Sequence, residues 1–234
     1  MEFLKSDKSR KVANAGNLLV KVKNRSNHTS SLKARSKRSD INHFVKATRQ
    51  GLYTYWFTLE EVAYIARLEY NYFNDLNRKS ITSFQTDNSL EPLINEITTF
   101  QRQAKQTGNA RETLIVNLGY AHWIAIVLFY QKKHQKNLKL YYIDSLNYPL
   151  PPEVQTFLQT ESILLNDLSH TLYPHINNSN VGLWVLDIVE NIHKMLDNEI
   201  SLEDMKIIFS YLPQQYDSHY FKEKRKNLAQ KISE

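Results

Sequence analysis

The order of secondary-structure patterns predicts an α+β fold, with a central, mainly antiparallel sheet flanked by helices. Three observations predict it. Apolar residues at helical spacing open the region after Trp56, three short β-branched or aromatic runs follow across polar turns, and helical periodicity then returns to the end of the chain. With 234 residues, 41% of them hydrophobic and 12% aromatic, the chain can bury a sizeable core and suits one domain plus an appendage.

The appendage is expected at Met1–Gln50, which holds 13 Lys/Arg against Glu2, Asp7 and Asp40, about +10, and leaves the remainder near −4 of the formal +6. Its apolar cluster, Leu18-Leu19-Val20, buries too little to offset ordering entropy, so a disordered tail over 1–50 and a body over 51–234 are predicted. Lys33-Ala34-Arg35-Ser36-Lys37-Arg38 could act as a nuclear-import or phosphate-binding arm, binding nucleic acid or an anionic surface. The plainer reading is a solvated tail or a leader read by a secretion machine. Met1–Lys21 lacks the apolar stretch of a secretory leader, and no run approaches the roughly 18 residues that span a bilayer. The expectation is a soluble, intracellular protein.

Taken in order, Trp56-Phe57-Thr58-Leu59-Glu60-Glu61-Val62 opens a helix, with Thr58 as N-cap and Glu61 as its capping-box partner. A second helix is predicted around Leu90–Gln103. Strands follow at Thr113–Asn117, Trp123–Gln131 and Leu138–Asp144, the last two joined by a turn short enough for an antiparallel hairpin. After Pro149, Pro151 and Pro152 a short helix runs to Gln159, then a short strand at Ser162–Leu165. Gly182–Leu196 is apolar over most of a helical circumference, so its start is buried, and Asn180 is its natural N-cap. Helices near Leu202–Tyr211 and Tyr220–Ile232 close the chain.

His122 begins one strand of the hairpin and Asp144 ends the other, so the two can face each other. A buried aspartate fixes an imidazole's tautomer and stabilises its cation, as a catalytic base requires. By itself such a pair reads first as a structural hydrogen bond and only second as a catalytic one. The third element is the loop Tyr173–Gly182, which leads into the buried helix.

Together, Trp56 with its helix, His122-Trp123, Asp144-Ser145-Leu146 and this loop resemble the SUMO-protease family and its bacterial deubiquitinase relatives, over about three-quarters of the chain. That family has a Trp-led helix, a strand starting His-Trp, a strand ending Asp-Ser, then Gln, Asp-Cys-Gly and a helix. The resemblance implies a papain-like fold and activity on ubiquitin or a ubiquitin-like modifier, with no cofactor. Residue by residue, His122 matches the base, Asp144 its orienter, Gly182 the Gly, and Trp123 the aromatic beside the channel for the modifier's tail. Trp56 and Trp184 are further binding candidates.

The same resemblance exposes three departures. Val181 stands where the nucleophilic Cys belongs, Asn180 replaces the Asp, and His175 falls where the oxyanion-hole Gln is expected. The chain contains no cysteine at all. An isopropyl group has neither a lone pair to attack with nor a proton to surrender, and losing a triad nucleophile costs on the order of 10⁶ in turnover. An engineered knockout would favour Ala or Ser and would not explain the two neighbouring changes. The resemblance therefore implies a catalytically inactive homologue that binds a modifier. Its kinship to bacterial effectors implies delivery into a host cytosol or nucleus. Two competing readings are an active hydrolase, using Ser179 or a metal on His122, Asp144 and His175, and an adaptor working through its basic tail. His193, on the buried helix, is expected to be structural.

Overall fold

The computed structural model describes residues 32–72, 79–86, 89–118, 122–133, 137–169, 178–212 and 216–234. The chain runs through helices α1 (Leu32–Arg49) and α2 (Leu59–Tyr70), strand β1 (Lys79–Gln85), helix α3 (Glu91–Thr107), and strands β2 (Asn109–Asn117), β3 (Trp123–Gln131) and β4 (Lys139–Asp144). Helix α4 (Pro152–Thr160), strand β5 (Leu164–Asp167), a 3₁₀ turn (Asn178–Asn180) and helices α5 (Val181–Asp197), α6 (Leu202–Tyr211) and α7 (Ser218–Ser233) complete it. The predicted α+β class holds.

The sheet order is β1-β2-β3-β4-β5. Its centre is the antiparallel meander β2–β3–β4, with Asn117 opposite Trp123 and Ile124 opposite Asp144. The edge pairs, β1 with β2 and β4 with β5, are parallel. A parallel pair needs a crossover, and α3 and α4 supply the two. Both crossovers step the same way along the sheet between strands of the same sense, so the right-handed rule puts both helices on one face. Leu93, Ile97 and Phe100 of α3 and Val154 and Leu158 of α4 accordingly share one core with Ile124, Ile126, Leu128 and Tyr142. The opposite face, carrying Trp123, Ala125, Val127, Tyr141 and Ile143, packs against α1, α2, α5, α6 and α7. Covered on both sides, β3 is apolar at nearly every position rather than alternating.

Local chemistry sets the ends of these elements. Thr58 accepts from the Glu61 backbone while the Glu61 carboxylate accepts from the Thr58 backbone, the predicted capping box. Gly108 takes the left-handed conformation at φ 81° that ends α3. Ser201 caps α6 and Asp217 caps α7.

Two sequence expectations change. β1 (KSITSFQ) was not foreseen, because its sparse apolar pattern gave no strong alternation; Ile81 and Phe84 nevertheless reach opposite cores. The boundary between appendage and body also moves towards the N-terminus. Ile41, Phe44 and Val45 of α1 are buried in the main core, a stripe at helical spacing that the high charge of 1–50 conceals. Residues 1–31 and the loop 170–177 lie outside the described residues. Among the described residues, no helix is long and apolar enough to cross a membrane.

Candidate functional site

β3 and β4 lie side by side in antiparallel register, which brings the start of one to the end of the other. His122 Nε2 is 2.7 Å from Asp144 Oδ2, so the predicted pair is assembled. The carboxylate is buried, whereas the imidazole side chain keeps 21% exposure and can be reached from solvent. Asp144 is fully engaged. Its Oδ2 also accepts from the Tyr142 hydroxyl at 3.0 Å, and its Oδ1 accepts from the Leu146 backbone at 2.6 Å. Burial and the neighbouring Asp144 charge push the Tyr142 phenol far above its ordinary pKa, so it stays a donor. The backbone of Asp144 donates to Ser169 Oγ, and Trp123 donates to Ser145 Oγ. These bonds fix the carboxylate before any ligand arrives.

With Nε2 committed, His122 Nδ1 is the ring atom left for another partner. Tyr148, 57% exposed, stands edge-on to the imidazole with ring centroids 5.6 Å apart. Together with exposed Leu146 it gives the dyad an apolar rim.

The start of α5 has a different character. Val181 is its first residue, is buried, and belongs to the same apolar cluster as Trp123. A Cβ built on Gly182 would lie 3.1 Å from Val62 Cγ2 and 3.6 Å from Phe57 Cβ, so the glycine allows α5 to approach α2 closely. Asn180 is not the side-chain cap that the sequence predicts. It continues the 3₁₀ turn at φ −97°, ψ −4°, and its Oδ1 instead accepts from Arg225 Nε at 3.0 Å. Arg225 is fully buried and donates through Nη2 to the carbonyls of Ser179 (2.6 Å) and Tyr55 (2.9 Å). Its guanidinium stacks 4.5 Å from the Phe57 ring centroid. Burial lowers its pKa to about 10, leaving it charged at neutral pH.

Sequence reasoning missed Arg225, although Phe221, Arg225 and Leu228 stand at i, i+4 and i+7 on one helical stripe, which places the arginine among core positions. It missed Tyr142 as well, two residues before Asp144 on the same strand face.

The remaining candidates divide clearly. Trp123 and Trp184 are 4% and 1% exposed, so their role as ligand-facing residues is corrected: both are sealed in the core between sheet and helix. Trp56 is 49% exposed, on the connector between α1 and α2. Ser179 is buried, and its carbonyl accepts from Arg225. His175 lies outside the described residues, and with it the oxyanion position and the third member of the metal set. Among the described residues no group of three His, Cys, Asp or Glu could hold a metal ion. His193 is buried on α5 with Nε2 2.9 Å from Thr113 Oγ1; burial first, then Lys79 and Arg111, lower its pKa to about 3, so it packs as a neutral ring.

No family model matches the sequence, and no curated protein matches it significantly. Among solved structures, the fold is similar to the ASFV pS273R protease (TM-score 0.47, 12% identity), over 74% of this chain and 66% of that one, just under two-thirds of its length. It is similar also to AvrA delL154 with IP6 and CoA (TM-score 0.47, 10% identity), over 85% of this chain and 80% of that one.

Proposed function

We propose that this chain is a catalytically silent homologue of the ubiquitin-like-protein proteases, which binds ubiquitin or a ubiquitin-like modifier without cleaving it. One observation carries the reading. A complete His122–Asp144 pair, its carboxylate buried and its imidazole accessible, accompanies a helix whose first residue is a buried valine. A thiolate at that helix start would be activated by the imidazole and by the positive end of the helix, and a valine can use neither. Without a nucleophile the dyad serves as a rigid polar floor, and the exposed Leu146 and Tyr148 beside it offer apolar area to a partner.

The test measures binding and labelling separately. Wild-type protein is titrated with ubiquitin and with SUMO, and the Tyr148→Ala variant should weaken the interaction about tenfold, as loss of an interfacial aromatic does. In parallel, Val181→Cys, alone and with His175→Gln and Asn180→Asp, is treated with both modifiers carrying a C-terminal electrophile. Adduct formation that disappears with His122→Ala is the expected result. Absence of both binding and labelling in the triple variant would overturn the reading. Turnover of a modifier–fluorophore substrate by wild type, lost with His122→Ala, would replace it with an active hydrolase.

A further inference from the structure

The basic N-terminal stretch does not end in solvent; its last helix is built into the fold. α1 carries six Lys/Arg against Asp40 and follows residues 1–31, which add seven more against Glu2 and Asp7. The end of α1 lies along α7, where Arg49 Nη2 donates to Ser233 Oγ at 2.9 Å. Of the cations on α7, Arg225 is buried and Lys224 is paired with Asp187, which leaves Lys222, Lys226 and Lys231 on its outer side, beside Glu223. Arg49 and Lys226 line one shallow depression between the two helices, with Glu234 at its margin. Lys222 Nζ stands 5.3 Å from the Tyr53 ring centroid, which ties α7 to the connector that follows α1. Lys226 pairs with Glu223 across an i,i+3 contact of little energetic weight.

That connector is unusual for what it leaves in water. Leu52 is 53% exposed and Trp56 is 49% exposed, four residues apart and on either side of Tyr53 and Tyr55. Exposed apolar side chains scattered singly need no explanation, but a leucine and a tryptophan beside a cationic ridge form a specific combination. A bilayer interface rewards all of its members: tryptophan settles at headgroup level, leucine enters the acyl boundary, and lysines and arginines meet anionic headgroups. A nucleic acid would reward the cations and the rings, but its phosphate backbone gives an exposed leucine nothing.

We propose that the end of α1, the connector 50–56 and the outer face of α7 form a peripheral docking surface for anionic lipid bilayers, with Leu52 and Trp56 inserting and Arg49, Lys222 and Lys226 facing the headgroups. The surface is built from α1, α7 and the connector between α1 and α2, whereas His122 and Asp144 stand at the ends of β3 and β4, so it would hold the protein at a membrane without using the His122 site.

The full chain is incubated with phosphatidylcholine vesicles, with and without phosphatidylserine as about one-third of the lipid. Sedimentation measures partitioning and tryptophan emission measures insertion; because Trp123 and Trp184 are buried, the exposed Trp56 dominates any blue shift. Wild type should bind only the anionic vesicles. Leu52→Ser with Trp56→Ser, which leaves net charge unchanged, should lower partitioning at least tenfold and abolish the shift. Lys222→Glu with Lys226→Glu should lower it by more, at about fivefold for each cation removed. Circular dichroism and thermal melts check that these surface variants remain folded. If the apolar pair changes nothing while the charge reversals release the protein, the surface is a polyanion site and the proposal falls. If neither pair matters, binding belongs to residues 1–31 alone. Failure of wild type to bind anionic vesicles refutes it outright.

Discussion

At the ends of β3 and β4, Asp144 has a partner for each oxygen, and Ser145 and Ser169 bind the backbone on either side. At the start of α5, Val181 and Gly182 are given over to apolar packing, and the polar work is done by Arg225, which arrives from α7. The resemblance read from the sequence would place both regions in one reaction centre; in the structure the first is a cluster of polar contacts and the second is mainly apolar packing. A self-satisfied hydrogen-bond network supports the strand ends whether or not catalysis follows. At the start of α5, by contrast, any side chain that packs satisfies what Val181 does in the core.

The largest effect should come from breaking the second region's polar anchor. Arg225→Ala leaves Asn180 Oδ1 and the carbonyls of Ser179 and Tyr55 without their buried donor and opens a cavity beside Phe57. Equilibrium unfolding in urea should show a loss of about 4 kcal/mol. Arg225→Lys, keeping charge but not the planar fork, should recover only part of it. A loss below about 1 kcal/mol would mean that apolar packing alone holds the start of α5, and the contrast between the regions would be sharper than described.

Next in size is the dyad itself, whose two members should respond unequally. Asp144→Ala strands the buried Tyr142 hydroxyl and takes the acceptor from the half-buried Leu146 amide, and should cost about 2 kcal/mol. His122→Ala removes a ring that keeps 21% exposure and should cost less than about 1 kcal/mol. Equal losses in thermal unfolding would show that the imidazole is as structural as the carboxylate, and would weaken its reading as an accessible binding floor.

Much of this arrangement was legible in the sequence. Trp123–Gln131 is a strand over the predicted span, the Thr58/Glu61 box caps its helix, and the order of His122 and Asp144 on a hairpin sufficed to pair them. Features set by distant chain segments were not legible. β1 is a strand because α3 folds back over the sheet to give it a parallel partner, which its own seven residues do not announce. Asn180 has capping chemistry, but a guanidinium 45 residues away claims its side-chain oxygen. Composition averaged over 1–50 hid Ile41, Phe44 and Val45, because a high mean charge outweighs three apolar residues in any average. Trp123 and Trp184 could be assigned to the channel only by resemblance, and both are buried in the single core between the sheet and α5.

The smallest effect tests whether the start of α5 is now ordinary core, and two opposing terms decide it. Gly182→Ala improves helix propensity by up to about 1 kcal/mol, and less than that in a first turn, where the chain is only partly committed to the helix. Against this, the new methyl would stand 3.1 Å from Val62 Cγ2, and Val62 is fully buried on α2 with no room to retreat. Overpacking of this kind costs about 1–3 kcal/mol, so the net expectation is a loss of about 1 kcal/mol. A double-mutant cycle with Val62→Ala isolates the contact: truncating the valine should make Gly182→Ala neutral or slightly stabilising, a coupling of about 1 kcal/mol. If Gly182→Ala destabilises equally in both backgrounds, the glycine serves something other than the α2–α5 approach.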